Sequence, residues 1–243
     1  IACLLIMIGD FAVFCGMISS LARILSGYVG LSYNVAMILS VVVFVISTSL
    51  GGFKGMAYTD VIQSILIVVG VAVVGIMAFV KAGGFSGLST LPENYTNPFA
   101  TNIPAMTMIG NVLALAGMNF VSQSAIIQKV NATRSPGDAK RALVVVAICQ
   151  TLVVSLLISS MGLSARVIFG GNIEVADDVI VKLLGIMPQG IAALYASAIA
   201  AAILTTANAM LMSSGLCFAN DILGTFKPDL SEKKRVMMTR IFV

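Results

Sequence analysis

The chain has 243 residues, of which 59% are hydrophobic and 10% charged; its net charge is +4 and its mean hydropathy +1.05. A water-soluble domain carries about a quarter charged residues, so a soluble globular fold is excluded and a polytopic, all-α membrane protein is implied. Histidine is absent, which removes the usual general acid/base, and no phosphate-binding glycine loop occurs, so neither an enzyme nor direct use of ATP is suggested.

Apolar segments of about 20 residues span a bilayer. In chain order they fall at about 1–22, 32–50, 56–80, 105–127, 141–165 and 190–219, with a truncated seventh from about 235. The chain opens and closes inside such segments, so it reads as an internal fragment of a longer membrane protein.

The loops between these spans alternate between two sides. Lys54, Lys129, Arg134, Lys140, Arg141, Lys227, Lys233, Lys234, Arg235 and Arg240 fall on one side, and only Arg23, Lys81, Arg166 and Lys182 on the other. The positive-inside rule makes the first side cytoplasmic. The basic excess is therefore topogenic, not a nucleic-acid surface. Ser135 or Pro136 is expected to open the fifth span, with Asp138 near its positive end. The acidic Arg166–Pro188 loop ends in a short apolar stretch, expected as a helix on the outer face. Cys3, Cys15, Cys149 and Cys217 all lie in apolar segments and read as small apolar side chains, not as disulfides or zinc ligands.

Thr205-Thr206-Ala207-Asn208 lies in the last full span among Ala200, Ala201, Ala202 and Ala209. Hydrocarbon cannot hydrogen-bond these side chains, so they face protein or a polar cavity. Clustered hydroxyl, amide and carbonyl oxygens suit a small hard cation. They equally suit helix packing, because threonines bond back to their own helix or to a neighbour. Asp60 supplies a second oxygen source about one turn into another span. Thr205 lies ~22 Å below the outer end of its span and Asp60 roughly 6 Å above the cytoplasmic end of its own, at 1.5 Å per residue. Both are in the inner half, and together they point to ion-coupled transport.

Gly51-Gly52-Phe53-Lys54-Gly55-Met56-Ala57-Tyr58-Thr59-Asp60-Val61-Ile62-Gln63 resembles the Gly-Gly…Thr-Asp-x-x-Gln segment of the solute:sodium symporter family. Ile126-Ile127-Gln128-Lys129, followed by Ala139-Lys140-Arg141-Ala142, is similar to that family's next cytoplasmic loop. Ala200–Asp221 resembles its small-residue helix with two adjacent hydroxyls. The resemblance implies the leucine-transporter-like fold, an inverted-repeat helix bundle, of which residues 1–243 would be a single, partial transport domain covering core helices three to eight. It also implies sodium-coupled symport of a small polar organic solute, in contact with membrane lipid at the plasma membrane. Carried over by position, Thr205, Thr206 and the carbonyl of Ala202 would bind the sodium ion shared within this fold. Asp60, Thr205 and Asn208 match the place of a second sodium. Asn208 departs from the hydroxyl usual there.

Asp10, about midway along the first span, is either a partner for another helix or a solute contact, the position at which the resemblance places a polar or charged recognition residue. Gln123 falls where sugar carriers of the family present an amide to substrate, and Gly117 marks a break in that helix. Phe11, Phe14 and Phe120 read as packing. The absence of Trp weighs against a quaternary ammonium solute. The rival classes are a membrane sensor module of a signalling protein built on the same fold, and a channel, which lacks a filter motif here.

Overall fold

The computed structural model describes residues 2–97, 104–113, 124–170, 178–227 and 229–242, and every regular element among them is helical. Helix α1 is Ala2–Ile24, continued by a π-helical turn Leu25–Val29; α2 is Tyr33–Lys81, α3 Ala105–Leu113 and α4 Ser124–Asn131. Then come α5, Pro136–Ile148, joined through a π-helical turn to α6, Leu156–Phe169, and α7, Asp178–Ile186. Helix α8 is Gln189–Leu216, extended by a π-helical turn Cys217–Ile222, and α9 is Glu232–Phe242.

Four stretches among the described residues are long and apolar enough to cross a membrane: Cys3–Val29, Gly55–Lys81, Pro136–Phe169 and Gln189–Phe226. Tyr33–Ser49 is apolar but shorter. These correspond to the first, third, fifth, sixth and second expected spans. The fourth, 105–127, is described only at its ends, as α3 and α4.

The short cytoplasmic turn expected near 51–55 is instead helical, so α2 runs unbroken for 49 residues. A straight helix of that length measures about 74 Å against ~30 Å of hydrocarbon, so α2 holds two span-lengths of chain. No proline interrupts it, and a glycine inside a helix costs only about 1 kcal/mol. The fifth span begins as expected. Ser135 caps α5, its Oγ accepting from Asp138 N–H at 3.1 Å, while Pro136 takes the first turn, where its missing N–H costs nothing.

The chain forms two compact units, residues 1–67 with 196–243, and residues 68–195. Their boundaries fall inside α2 and α8. In the first unit, Phe14, Leu21 and Ile24 of α1 pack with Phe44 of α2 and with Ile203 and Ala207 of α8. Phe14 and Phe44 meet edge to face at 5.5 Å, a favoured aromatic geometry. In the second unit, Gly75 of α2 lies against Leu157 and Met161 of α6, where an added Cβ would make ordinary van der Waals contact, 3.4 Å from the leucine. Small residues at such crossings are how helices approach one another in lipid. Helix α2 ends at Gly83 and Gly84, whose φ values of +86° and +64° are strained for any residue with a Cβ.

Candidate functional site

The oxygen-rich face of α8 is built by local helix geometry. Thr205 and Thr206 stand three and four residues beyond Ala202, and both hydroxyls donate to its carbonyl, at 2.9 and 3.0 Å. Three hard oxygens are thereby gathered on one patch of helix. Ala202, Thr205 and Thr206 are half-buried, whereas Ala201, Ala207, Asn208 and Ala209 around them are buried. The patch therefore faces outward from the alanine-packed side of α8. This donor set, two hydroxyls and a carbonyl, is of the kind that holds hard cations. The same bonds also satisfy threonine hydroxyls within an apolar helix.

Asn208 turns the other way. It is 4% exposed, and its Oδ1 accepts from Ser47 Oγ at 2.9 Å and Thr48 Oγ1 at 2.8 Å. Both hydroxyls also reach the carbonyl of Phe44. Two donors fill the lone pairs of an amide oxygen, so Asn208 Oδ1 in this arrangement ties α8 to α2. Asp60, twelve residues beyond Thr48 on α2, is half-buried, with Oδ1 shielded from solvent.

Asp10 bonds to a neighbouring helix and borders a cavity. Its Oδ2 accepts from Ser214 Oγ of α8 at 3.2 Å, and it lines a cavity of about 450 Å³ with Met7, Phe11, Phe14, Met210 and Ser214. That volume lies within the range of small-molecule sites. Phe14, 7% exposed, is packed as expected; Phe11 is 64% exposed in this chain and borders the cavity. Gln123, Gly117 and Phe120 lie outside the described residues.

Four polar residues that no sequence motif singles out complete these contacts: Ser47 and Thr48 bond to Asn208, and Ser213 and Ser214 to Asp10. Their signal was available, since each hydroxyl lies inside or at the edge of an apolar run and so needs a partner.

The family model of the Sodium:solute symporter family matches residues 1–243. The chain belongs to that family. Among curated members it is 24% identical over 223 residues to the sodium/pantothenate symporter of Haemophilus influenzae, covering 88% of this chain and 45% of that protein. It is 27% identical over 222 residues to the sodium/glucose cotransporter of Vibrio parahaemolyticus, covering 78% of this chain and 41% of the relative. With the sodium/mannose cotransporter of Bos taurus it shares 20% over 253 residues, 88% and 42% of the two chains. The chain thus spans about half the length of the curated relatives it matches. A solved structure of a substrate-bound, outward-open Na+-coupled sialic acid symporter superposes with a TM-score of 0.83 at 24% identity, covering 99% of this chain and 54% of the other. The fold is therefore the expected leucine-transporter-like helix bundle, and this symporter-family chain is a multi-pass membrane protein.

Proposed function

We propose that the protein containing this chain is a secondary active transporter that couples sodium entry to uptake of a small polar organic solute across the plasma membrane, by alternating access. Residues 1–243 belong to its single transport domain. The observation that carries this reading is the half-buried oxygen cluster of Thr205, Thr206 and the Ala202 carbonyl on an apolar helix. Hydroxyl and carbonyl oxygens replace the hydration shell of a hard cation without contributing a fixed charge, which suits a site that must fill and empty in each cycle. The names of the relatives, all sodium cotransporters or symporters of small solutes, support it.

Asp60 and Thr205 carry the reading of a second sodium. Asn208 matches that place by position, and its oxygen also meets Ser47 and Thr48, contacts that fix α8 one helical turn beyond Thr205. Asp10 and the cavity it lines are the solute-recognition element, and Gln123 is assigned to the same role by the family pattern. A carboxylate in a mostly apolar cavity favours a solute that brings hydrogen-bond donors: a polyol, a zwitterion or a primary amine.

The test is uptake of a panel of labelled sugars, polyols, carboxylates and amino acids by the full-length protein in proteoliposomes, with and without an inward sodium gradient. Sodium-driven accumulation of one class is expected. Equal uptake without the gradient would refute coupling.

A further inference from the structure

Cys3 near the start of α1, and Cys217 and Asp221 on the π-helical turn after α8, bring their Sγ and carboxylate oxygen atoms within 4.8 Å of one another. Cys217 and Asp221 are four residues apart and so project to the same side of their turn, toward α1. Such π-helical insertions are frequent at functional sites. The three residues grade from buried Cys217 through half-buried Cys3 to exposed Asp221, which leaves an open approach on the carboxylate side. Cys3 Sγ also lies 3.8 Å from Met7 Sδ, a third soft sulfur beside the two thiols. The alternation of basic loops puts the beginning of α1 and the end of α8 on the same, cytoplasmic side. There a pair of thiols stays reduced.

We propose that Cys3, Cys217 and Asp221 form a binding site for a soft divalent cation of the zinc class, independent of the sodium-coupled reading above. Two thiolates and a carboxylate are three of the four donors of a tetrahedral zinc site, and solvent on the Asp221 side supplies the fourth. Zinc–sulfur bonds of about 2.3 Å require donors roughly 3.5–3.8 Å apart, so the cluster closes by rotation of three side chains. The site is chemically separate from the threonine cluster. About 16 Å of α8 lies between Thr205 and Leu216 at 1.5 Å per residue, and sulfur donors select against sodium, magnesium and calcium. A bound ion would tie the cytoplasmic end of α1 to that of α8. Cys15 and Cys149, both exposed, are not part of it. The proposal departs, for Cys3 and Cys217, from the expectation that the cysteines are small apolar side chains. Cys3 and Cys217 are too far apart in sequence for any spacing rule to pair them.

The test uses the full-length protein, purified reduced and metal-free in sodium-free buffer, titrated with Cd2+ while the ultraviolet thiolate-to-cadmium absorption is followed, and with Zn2+ in competition with a chromophoric chelator. About one ion per chain is expected to bind. Cys3→Ser and Cys217→Ser should each weaken binding by at least about 100-fold, since even outer-sphere partners of a metal site are worth 10–100-fold. Asp221→Asn should weaken it about tenfold, and a Cys15→Ser/Cys149→Ser double variant should match wild type. Zn2+ should raise the thermal midpoint of wild type but not of Cys3→Ser, an exchange of near-isosteric side chains at a half-buried position that the fold tolerates even where Cys217→Ser, at a buried one, does not. Absence of the cadmium band in wild type, or a band that survives both single serine variants, would overturn the site.

Discussion

Thr48 Oγ1 lies 2.8 Å from Asn208 Oδ1, joining α2 to α8 across the apolar core of the first unit. The bond engages the same oxygen that the family pattern would offer to a second sodium. Thr48 is 1% exposed and Asn208 4%, so no water competes for the pair. Hydrogen bonds between membrane helices are worth about 0.6 kcal/mol on average and at most about 1.7. A double-mutant cycle of Thr48→Val and Asn208→Ala, followed by unfolding in mixed micelles, should give a coupling in that range. Ser47 keeps Asn208 partly satisfied in the Thr48 variant, so the single substitution should be milder than Asn208→Ala. Strict additivity would place Asn208 elsewhere.

Asp60 separates one sodium from two. Asp60→Asn keeps the side chain's size and its capacity to hydrogen-bond while removing the charge. If Asp60 serves a second sodium, the Hill coefficient for sodium and the measured sodium-to-solute stoichiometry should both fall, with the first sodium still required. A variant that retains wild-type stoichiometry but yields little folded protein would assign Asp60 to helix packing.

Asp10 reports on the solute. It sits in a cavity of about 450 Å³ and shares a hydrogen bond with Ser214. Asp10→Asn should change which solutes compete for uptake while leaving the sodium dependence intact. A cationic solute should lose more than tenfold in apparent affinity, the equivalent of about 1.4 kcal/mol, and a neutral polyol much less. Ser214→Ala should shift the same profile in a smaller way. Unchanged competition in both variants would leave Asp10 as a helix partner only.

Much of this was legible in the sequence because membrane folds are dictated by composition. Hydrocarbon demands helices with internally satisfied backbones, so the spans followed from hydropathy, and the Ser135 cap from the Ser-Pro-x-Asp pattern before α5. The threonine cluster was legible for a similar reason: its geometry is intrahelical and depends only on the spacing of Ala202, Thr205 and Thr206. The partners of Asn208 and Asp10 were not legible. Thr48 and Ser214 are brought to them by tertiary packing, which leaves no periodic trace along the chain. Nor was the continuous α2: Gly51-Gly52 with Lys54 reads as a turn by propensity, yet a backbone that stays helical keeps every N–H and C=O paired.

The central claim, that the Thr205–Thr206 oxygens on α8 hold the coupling ion, is tested most directly by the sodium dependence of solute uptake in a Thr205→Ala/Thr206→Ala variant of the full-length protein, reconstituted at matched amounts. Two hydroxyl ligands are removed while the Ala202 carbonyl stays. The sodium concentration for half-maximal uptake should rise about tenfold or more, a loss of about 1.4 kcal/mol or more, and single serine replacements should largely restore it by returning the oxygens. A double-alanine variant with wild-type sodium dependence would contradict the account and leave both hydroxyls as intrahelical bonds to Ala202.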